Sequence, residues 1–525
     1  MTIRKKLLAV ALAAVCSGSA VAASDDKRAS VELLHETTLN LIQLLVEQGV
    51  LKQEAADALL KKAEQRAAEK TAQAKAAEAE AGKGVVRVTY VPEHVKREIR
   101  EQVKQEVVAQ AKQERWGDVN AVPEWLDRLK WEGDIRLRYQ ADLFADGNAP
   151  EAVFQVIGQN VSNTQEDRQR ERVRLRLGLN ANVTSKVDVG VRITTGNTTD
   201  PVSTNQTLGN TGNKYNLVLD RAFLKLRPID DLTLWGGRIP NPFFSTDLVW
   251  DDDVNFEGAA VSYAPGAQEP KRKFKPFVTA GAFPLQEIEE KAGVAARDKW
   301  LVAAQAGLEW VPSTRARFKL GAGYYHYRNV AGVPNPTPTT TGLYDLSAPQ
   351  FRQKGNSLFV VDSDANNDGT QDDPVYGLAA DYRIANLTLV ADFAEFFPVH
   401  LIGSFDWARN LGFDQGEILA RTGQNFEPET DAYQARLTLG YPKITERHEW
   451  QAFIGYRYLE RDAVLDAFTD SDFHLGGTNA KGFMVGGAYG LYRNTWLSAR
   501  WMSSDEISGL PLSIDVFQLD LNAKF

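Results

Sequence analysis

Hydrophobic and polar residues alternate with a period of two through most of the chain after residue 131, and recur at helical spacing before it. In the segment from Ile514 to Phe525, Phe517, Leu519, Leu521, Ala523 and Phe525 share one face, and Gln518, Asp520, Asn522 and Lys524 share the other. Successive side chains of a strand point to opposite faces, so strict alternation marks a strand between an apolar and a polar medium. Read along the chain, the pattern predicts strands at 132–142, 170–183, 186–196, 216–227, 231–239, 254–264, 273–284, 299–311, 314–328, 384–396, 399–409, 431–441, 449–460, 481–491, 495–504 and 513–525. The earlier part reads as helical. Leu33, Leu34, Leu41, Leu44 and Leu45 mark an amphipathic helix that Gly49 stops, and Ala55, Leu59 and Ala63 carry a second into an Ala/Glu/Lys run ending at Gly82. Pro92 opens a third helix, on which Val95, Ile99, Val103 and Val107 recur every four positions. So thin an apolar stripe suits either pairing with copies of itself in an oligomer or a solvated spacer.

Connections between the strands alternate in length. Thr184-Ser185, Pro312-Ser313, Pro398 and Arg493-Asn494 are short, whereas 143–169, 197–215, 240–253, 329–383, 410–430 and 462–480 are long. Short turns on one rim and long loops on the other are the pattern of a transmembrane barrel. Trp300 and Trp310 fall on one face of their strand with Val302, Ala304, Ala306 and Leu308 between them. That spacing places a ring at each headgroup level of a bilayer, and Tyr433, Tyr441, Trp450, Tyr456 and Tyr458 read the same way. No later stretch has the apolar length of a membrane-spanning helix, and the mean hydropathy is −0.34. Only a closed barrel crosses a bilayer without such a run. The expected fold is an all-β transmembrane antiparallel barrel of about sixteen strands, preceded by an N-terminal α-helical, coiled-coil segment.

Residues 1–23 read as a secretory signal, with Arg4, Lys5 and Lys6 before the apolar run from Leu7 to Val15 and Val21-Ala22-Ala23 as the cleavage site. The domain plan is then a signal at 1–23, a periplasmic helical segment at 24–130 and the barrel at 131–525. Cys16, the only cysteine, lies inside the signal, which excludes disulfides and cysteine-held metal in the exported protein. A net charge of −9 argues against nucleic acid as a partner.

The chemistry concentrates in the second predicted strand. Arg170, Arg172, Arg174 and Arg176 alternate with Glu171, Val173, Leu175, Leu177 and Leu179. Guanidinium groups are costly against lipid, so the ladder must face the lumen. By the same parity Arg136, Arg138, Arg192, Arg221, Lys225 and Arg227 line the pore. Such a wall suits anionic solutes or opposing carboxylates, and the plainer alternative is arginine packed against inward acids for stability alone. Opposing carboxylates are expected from the third long loop, where Asp247, Asp251, Asp252, Asp253 and Glu257 would form a constriction; the alternative is an exposed acidic loop. Asp364, Asn366, Asp368 and Asp372 have the spacing of calcium-loop ligands, but Val375 stands where an EF-hand needs Glu. Weak Ca2+ binding in an external loop is expected there, against a polar, flexible tip; no other cofactor is expected. No metal spacing among the six histidines, phosphate loop or nucleophile motif points to an enzyme.

Several segments carry a family resemblance: the run from Gln48 to Leu59, Val88-Thr-Tyr-Val-Pro92, the run from Pro123 to Arg138, the four ladder arginines, Ser203 to Gly209, and Gly237-Arg238-Ile-Pro-Asn241-Pro242-Phe243. In them the chain resembles the "putative porin" family of Gram-negative outer membranes. The resemblance implies a barrel pore with a periplasmic N-terminal segment. The expected protein is a diffusion porin in the outer-membrane bilayer, a homotrimer conducting small hydrophilic solutes or ions, with Phe525 as the assembly signal. A substrate-selective anion channel and an envelope tether built on the N-terminal helices stay open as alternatives.

Overall fold

The structure is a computed structural model describing residues 126–336, 342–366 and 373–525. The expected signal and the N-terminal helices lie outside the described residues. Nineteen strands follow in chain order. Sixteen of them span the barrel: β1 (Leu129–Phe144), β2 (Arg168–Thr184), β3 (Val187–Thr195), β5 (Leu217–Ile229), β6 (Leu232–Pro240), β7 (Asn255–Tyr263), β8 (Phe274–Gln286), β9 (Lys299–Ser313), β10 (Ala316–Arg328), β13 (Arg383–Phe396), β14 (Val399–Asn410), β15 (Asp431–Gly440), β16 (Trp450–Leu459), β17 (Ala480–Tyr492), β18 (Thr495–Glu506) and β19 (Ser513–Lys524). Each pairs antiparallel with its chain neighbours, and β1 with β19 closes the ring, with Asp134 opposite Lys524 and Phe144 opposite Ile514. Two-residue β4 (Gln206–Thr207) adds a pairing to β2, and β11 (Leu358–Asp362) with β12 (Val375–Leu378) forms a separate hairpin. The predicted strands match the sixteen, shifted by a few residues at their ends.

Alternation sorts the side chains as a bilayer requires. On β9, Trp300, Val302, Leu308 and Trp310 are exposed on the outer face, while Leu301, Ala303 and Gln305 are buried within. Trp310 stacks between Phe274 at 6.0 Å and Phe318 at 5.2 Å, and Tyr433 on Tyr458 at 5.2 Å. These ring clusters on the outer face are the aromatic girdle that a headgroup region favours. Eight connections lie on one rim, where 287–298 and 507–512 add to the six long loops expected from the sequence. Two of the long loops hold helices: α1 (Glu151–Val156) and α2 (Gln415–Thr422). Asp414 caps α2 by accepting from Glu417 N at 2.9 Å, and Gly423 ends it at φ 70°.

The apolar core lies inside the ring, where the loop at 241–254 meets the wall. Phe243, Leu248, Val249 and Trp250 of that loop pack against Ile239, Phe256, Phe283, Leu301 and Tyr325. Trp250 lies 4.8 Å from Phe256 and 5.2 Å from Tyr325, ring to ring. A barrel of sixteen strands is too wide for its own side chains to fill, so a folded-in loop supplies the packing. Gly237 and Gly258 face each other across β6 and β7 at φ 108° and 131°. A Cβ on either would stand 2.4 or 2.3 Å from a neighbouring strand's carbonyl oxygen, so only glycine lets the backbones approach there.

Candidate functional site: a charged constriction

Register on β1 and β2 sets Arg136 opposite Arg174 and Arg138 opposite Arg172. Like charges facing one another across a ladder are destabilising unless acids intervene. The acids come from the same parity. Asp134 accepts from Arg174 at 2.9 Å and from Arg176 at 2.8 Å, and Arg170 pairs with Asp142 at 2.9 Å. Arg138, 3% exposed, is held by Asp520 of β19 at 2.7 Å and by Asp472 at 2.8 Å. Farther round, Arg192 pairs with Asp220, Arg227 with Asp188 at 2.6 Å, Arg221 donates to Asn255 at 2.6 Å, and Lys225 lies 4.6 Å from the Trp235 ring. The wall is not basic throughout: the inward rows that hold arginine also hold Asp134, Asp142, Asp188 and Asp520, the arrangement the plainer alternative expects. Arg136 and Arg172 have no carboxylate within 4.0 Å among the described residues; Arg136 donates to Asn205, and Arg172 reaches Gln140 at 3.4 Å.

The loop at 241–254 crosses the interior and is tied down at every step. Phe244 N donates to Gln305 of β9 at 2.8 Å, and Thr246 Oγ1 to Asp406 of β14 at 2.6 Å. Asp247 accepts from Gln434 at 2.6 Å and pairs with Arg457 at 3.0 Å. Asp251 accepts from Ser471 N at 2.9 Å. Asp253 then returns to the first wall, accepting from Thr204 Oγ1 at 2.9 Å and pairing with Arg176 at 3.2 Å. The long loop at 460–479 also enters, bringing Asp470 onto Arg457 at 3.1 Å and Asp472 onto Arg500 at 2.5 Å.

These segments enclose a cavity of about 120 Å³ lined by Arg136, Arg174, Arg500, Asn205, Ser471 and six carboxylates. Their protonation splits by neighbour. Burial pushes Asp251 well up, helped by Asp470 and Asp253; Asp252, exposed to the lumen, is raised to about 6 by partial desolvation among the surrounding loops with help from Asp247 and Asp470. Burial works against Asp253 and Asp472 too, but Arg174 and Arg176 hold the first below its ordinary value, and Arg138 and Arg500 hold the second well below. Of the expected constriction residues, Asp247, Asp251, Asp252 and Asp253 meet in this space. Glu257 does not: it is on the outer face of β7, paired with Arg238 at 2.6 Å, because the strand begins at Asn255 and turns Phe256 inward. Arg436, Arg457 and Arg500, on β15, β16 and β18, escaped the sequence reading, although parity alone would have turned them inward.

Phe525 extends the closing ladder, exchanging backbone hydrogen bonds of 2.9 Å with Gly133. Asp364 and Asn366 lie where the chain folds back on Asp373, which accepts from Asn366 N at 2.9 Å. Asp368 and Asp372 lie outside the described residues. Among the described residues no group of three or more His, Cys, Asp or Glu side chains is arranged to hold a metal ion.

A closed antiparallel ring with an apolar outer face and a polar, loop-narrowed interior defines a membrane β-barrel of the pore type. The family described as "Putative porin" matches residues 35–525. The chain belongs to that family, and so to the channels of the outer membrane. No curated protein sequence matches it. Among solved structures it is similar to OprB of Pseudomonas putida (12% identity, 77% of this chain and 96% of that one, TM-score 0.43). It is also similar to the channel DcaP of Acinetobacter baumannii (12%, 76% and 97%, 0.39) and to Salmonella typhi OmpF in complex with daunomycin (9%, 76% and 97%, 0.39).

Proposed function

We propose that the protein is a passive diffusion porin whose eyelet is the space between the Arg136, Arg172, Arg174 wall and the carboxylates of the two inward loops. The observation that carries this reading is the path of 241–254 across the interior, anchored on β9, β14, β15 and β2 in turn. Basic and acidic groups on opposite sides of a narrow wet gap set a transverse field, which favours small hydrophilic solutes and hinders apolar ones. Selectivity between anions and cations is modest in this reading, because most of the arginines have carboxylate partners. Arg136, Arg172, Arg221, Lys225 and Arg436 have no carboxylate within 4.0 Å among the described residues, and the six carboxylates of the eyelet offset them in this reading. Reversal potentials across planar bilayers in a salt gradient test it: a ratio of anion to cation permeability near one is expected, and strong anion preference favours the alternative. We infer a homotrimer in the outer membrane, to be checked by mass measurement of the detergent-solubilised protein. Weak Ca2+ binding around Asp364 and Asn366 is proposed on ligand spacing alone, to be checked by calorimetric titration.

A further inference from the structure

The barrel wall parts in two places near the long-loop rim. The β5–β6 ladder ends at Ala222 opposite Arg238, so residues 217–221 pair with β3 alone. The β7–β8 ladder ends at Ala259 opposite Ala282, leaving 255–258 paired only with β6 and 283–286 only with β9. A cavity of about 910 Å³ occupies this region. Its lining includes Leu217 and Leu219, 57% and 58% exposed on the outer face, together with Phe256 and Phe283, 4% and 1% exposed on the inner face. The cavity thus borders both faces of the sheet at its long-loop end. The charged pair of Arg238 and Glu257 on the outer face sets this gap at the height of the head groups rather than in the hydrocarbon.

Two cations line this space. Arg238 is matched by Glu257 at 2.6 Å. Lys299 is 4% exposed; its ammonium donates to Gln286 Oε1 at 2.9 Å and to Ala348 O, and no carboxylate lies within 4.0 Å among the described residues. The acids of the lining are engaged elsewhere: Asp220 with Arg192, Asp253 with Arg176, Glu257 with Arg238, and Asp200 as acceptor of Val202 N at 3.0 Å. A buried ammonium without a counter-ion is costly, and Lys299 keeps a third proton to donate. The lining is mixed, and its apolar part includes Phe283, Leu285, Leu301 and Phe351. The volume lies within the ~300–1,000 Å³ of pockets that enclose a drug-sized ligand.

We propose that this cavity is a side portal for a single-chain anionic amphiphile, with its head group on Lys299 and its acyl chain along Phe283, Leu285, Leu301 and Phe351. The route adjoins the aqueous eyelet at Asp253, which lines both spaces, and takes a chemistry the eyelet hinders. The test uses the full chain in nanodiscs of zwitterionic lipid, with a dibrominated C18 carboxylate as a quencher of Trp250, which lines the cavity. The Trp250→Phe variant isolates that signal. Lys299→Gln should weaken carboxylate binding about tenfold, the equivalent of one charge-assisted hydrogen bond, while Lys299→Arg restores it. The matching brominated alcohol should bind weakly, and equally, to wild type and Lys299→Gln. Should Lys299→Gln fail to assemble, Phe351→Asp in the covering loop puts a repelling charge on the acyl path and should abolish quenching by the carboxylate. Quenching by a brominated lysophosphatidylglycerol would place a single-chain lipid's head group at Lys299, whereas quenching by the free acid alone would mark a diffusing solute; either supports the proposal. Equal quenching by acid and alcohol, or quenching unmoved by both substitutions, would overturn the proposal.

Discussion

The wall of β1 and β2 and the wall of β9 to β14 are built from the same alternation with opposite contents. Inward from β1 and β2 come Arg136, Arg138, Arg170, Arg172, Arg174 and Arg176, with Asp134 and Asp142 among them. Inward from β9, β10, β13 and β14 come Ala303, Gln305, Gly321, Gly323, Asn386, Thr388 and Ala408, small or neutral, together with the charged Asp406, Lys299 and Lys319, the last 4.2 Å from the Phe244 ring. A Cβ on Gly321 would come 3.1 Å from the Phe244 ring, so the absent side chain makes room for the crossing loop. One wall carries a dense ladder of arginines, and the other mostly offers space and acceptors with scattered charges. The field in the eyelet therefore depends on both, because the second wall holds the acids opposite the first.

The largest expected effect separates the two faces of the charged wall. Leu175→Arg should block assembly, because arginine on the lipid face costs roughly 2–4 kcal/mol near midplane, while Arg174→Leu should assemble. Outer-membrane yield and heat-modifiable migration on gels read this, and the reverse pattern would invert the facing of β2. Next comes the receiving wall. Asp406→Ala removes the acceptor for Thr246 and Asn386, leaving buried donors whose desolvation costs about 1–3 kcal/mol each. The loop should loosen, with larger and noisier single-channel conductance and an intact barrel; unchanged conductance would mean that the loop is held without that wall.

Charge substitutions should act more gently. Arg136→Gln with Arg172→Gln should lower the ratio of anion to cation permeability, and Asn at Asp251, Asp252 and Asp253 should raise it. Both shifts should be clearest in ~0.01 M salt, where the Debye length reaches about 30 Å. Reversal potentials that do not move would show that neither group sets the field. The smallest effect is a titration. Asp252, raised to about 6 by partial desolvation and by Asp247, Asp470 and Asp253 against the pull of Arg176, has its ionised form disfavoured. Its negative charge is present above that pH and lost below it, so acidification from pH 7 to 5 should raise relative anion permeability and relieve repulsion in the loop. Asp252→Asn should flatten that step.

The strands were legible because a bilayer on one side and water on the other enforce period two over nearly the whole ring. Parity also placed the ladder arginines on the inner face. Their partners were harder to read, since Arg138 meets Asp472 across 334 positions and Asp520 across 382. Nothing local announces a pair that the ring brings together only on closure. Glu257 was drawn into the constriction by the acidic run before it, although the alternation of Phe256 and Glu257 already pointed it outward. Arg457 stands alone among aromatics on β16, without the repetition that made the β2 ladder visible. The side cavity left no pattern in the sequence, because it arises from where two ladders stop.

Arg138 draws its two carboxylates from β19 and from the loop at 460–479, both remote in the chain and both beside β1 only once the ring is sealed. Before sealing, that guanidinium has neither partner and is held by water; closure buries it and supplies both carboxylates together, since burial without them would be heavily penalised. Closure and charge neutralisation are thus a single event. An electrostatic latch of this kind makes the half-open ring a poor resting state, so that insertion into the membrane tends to completion or retreat.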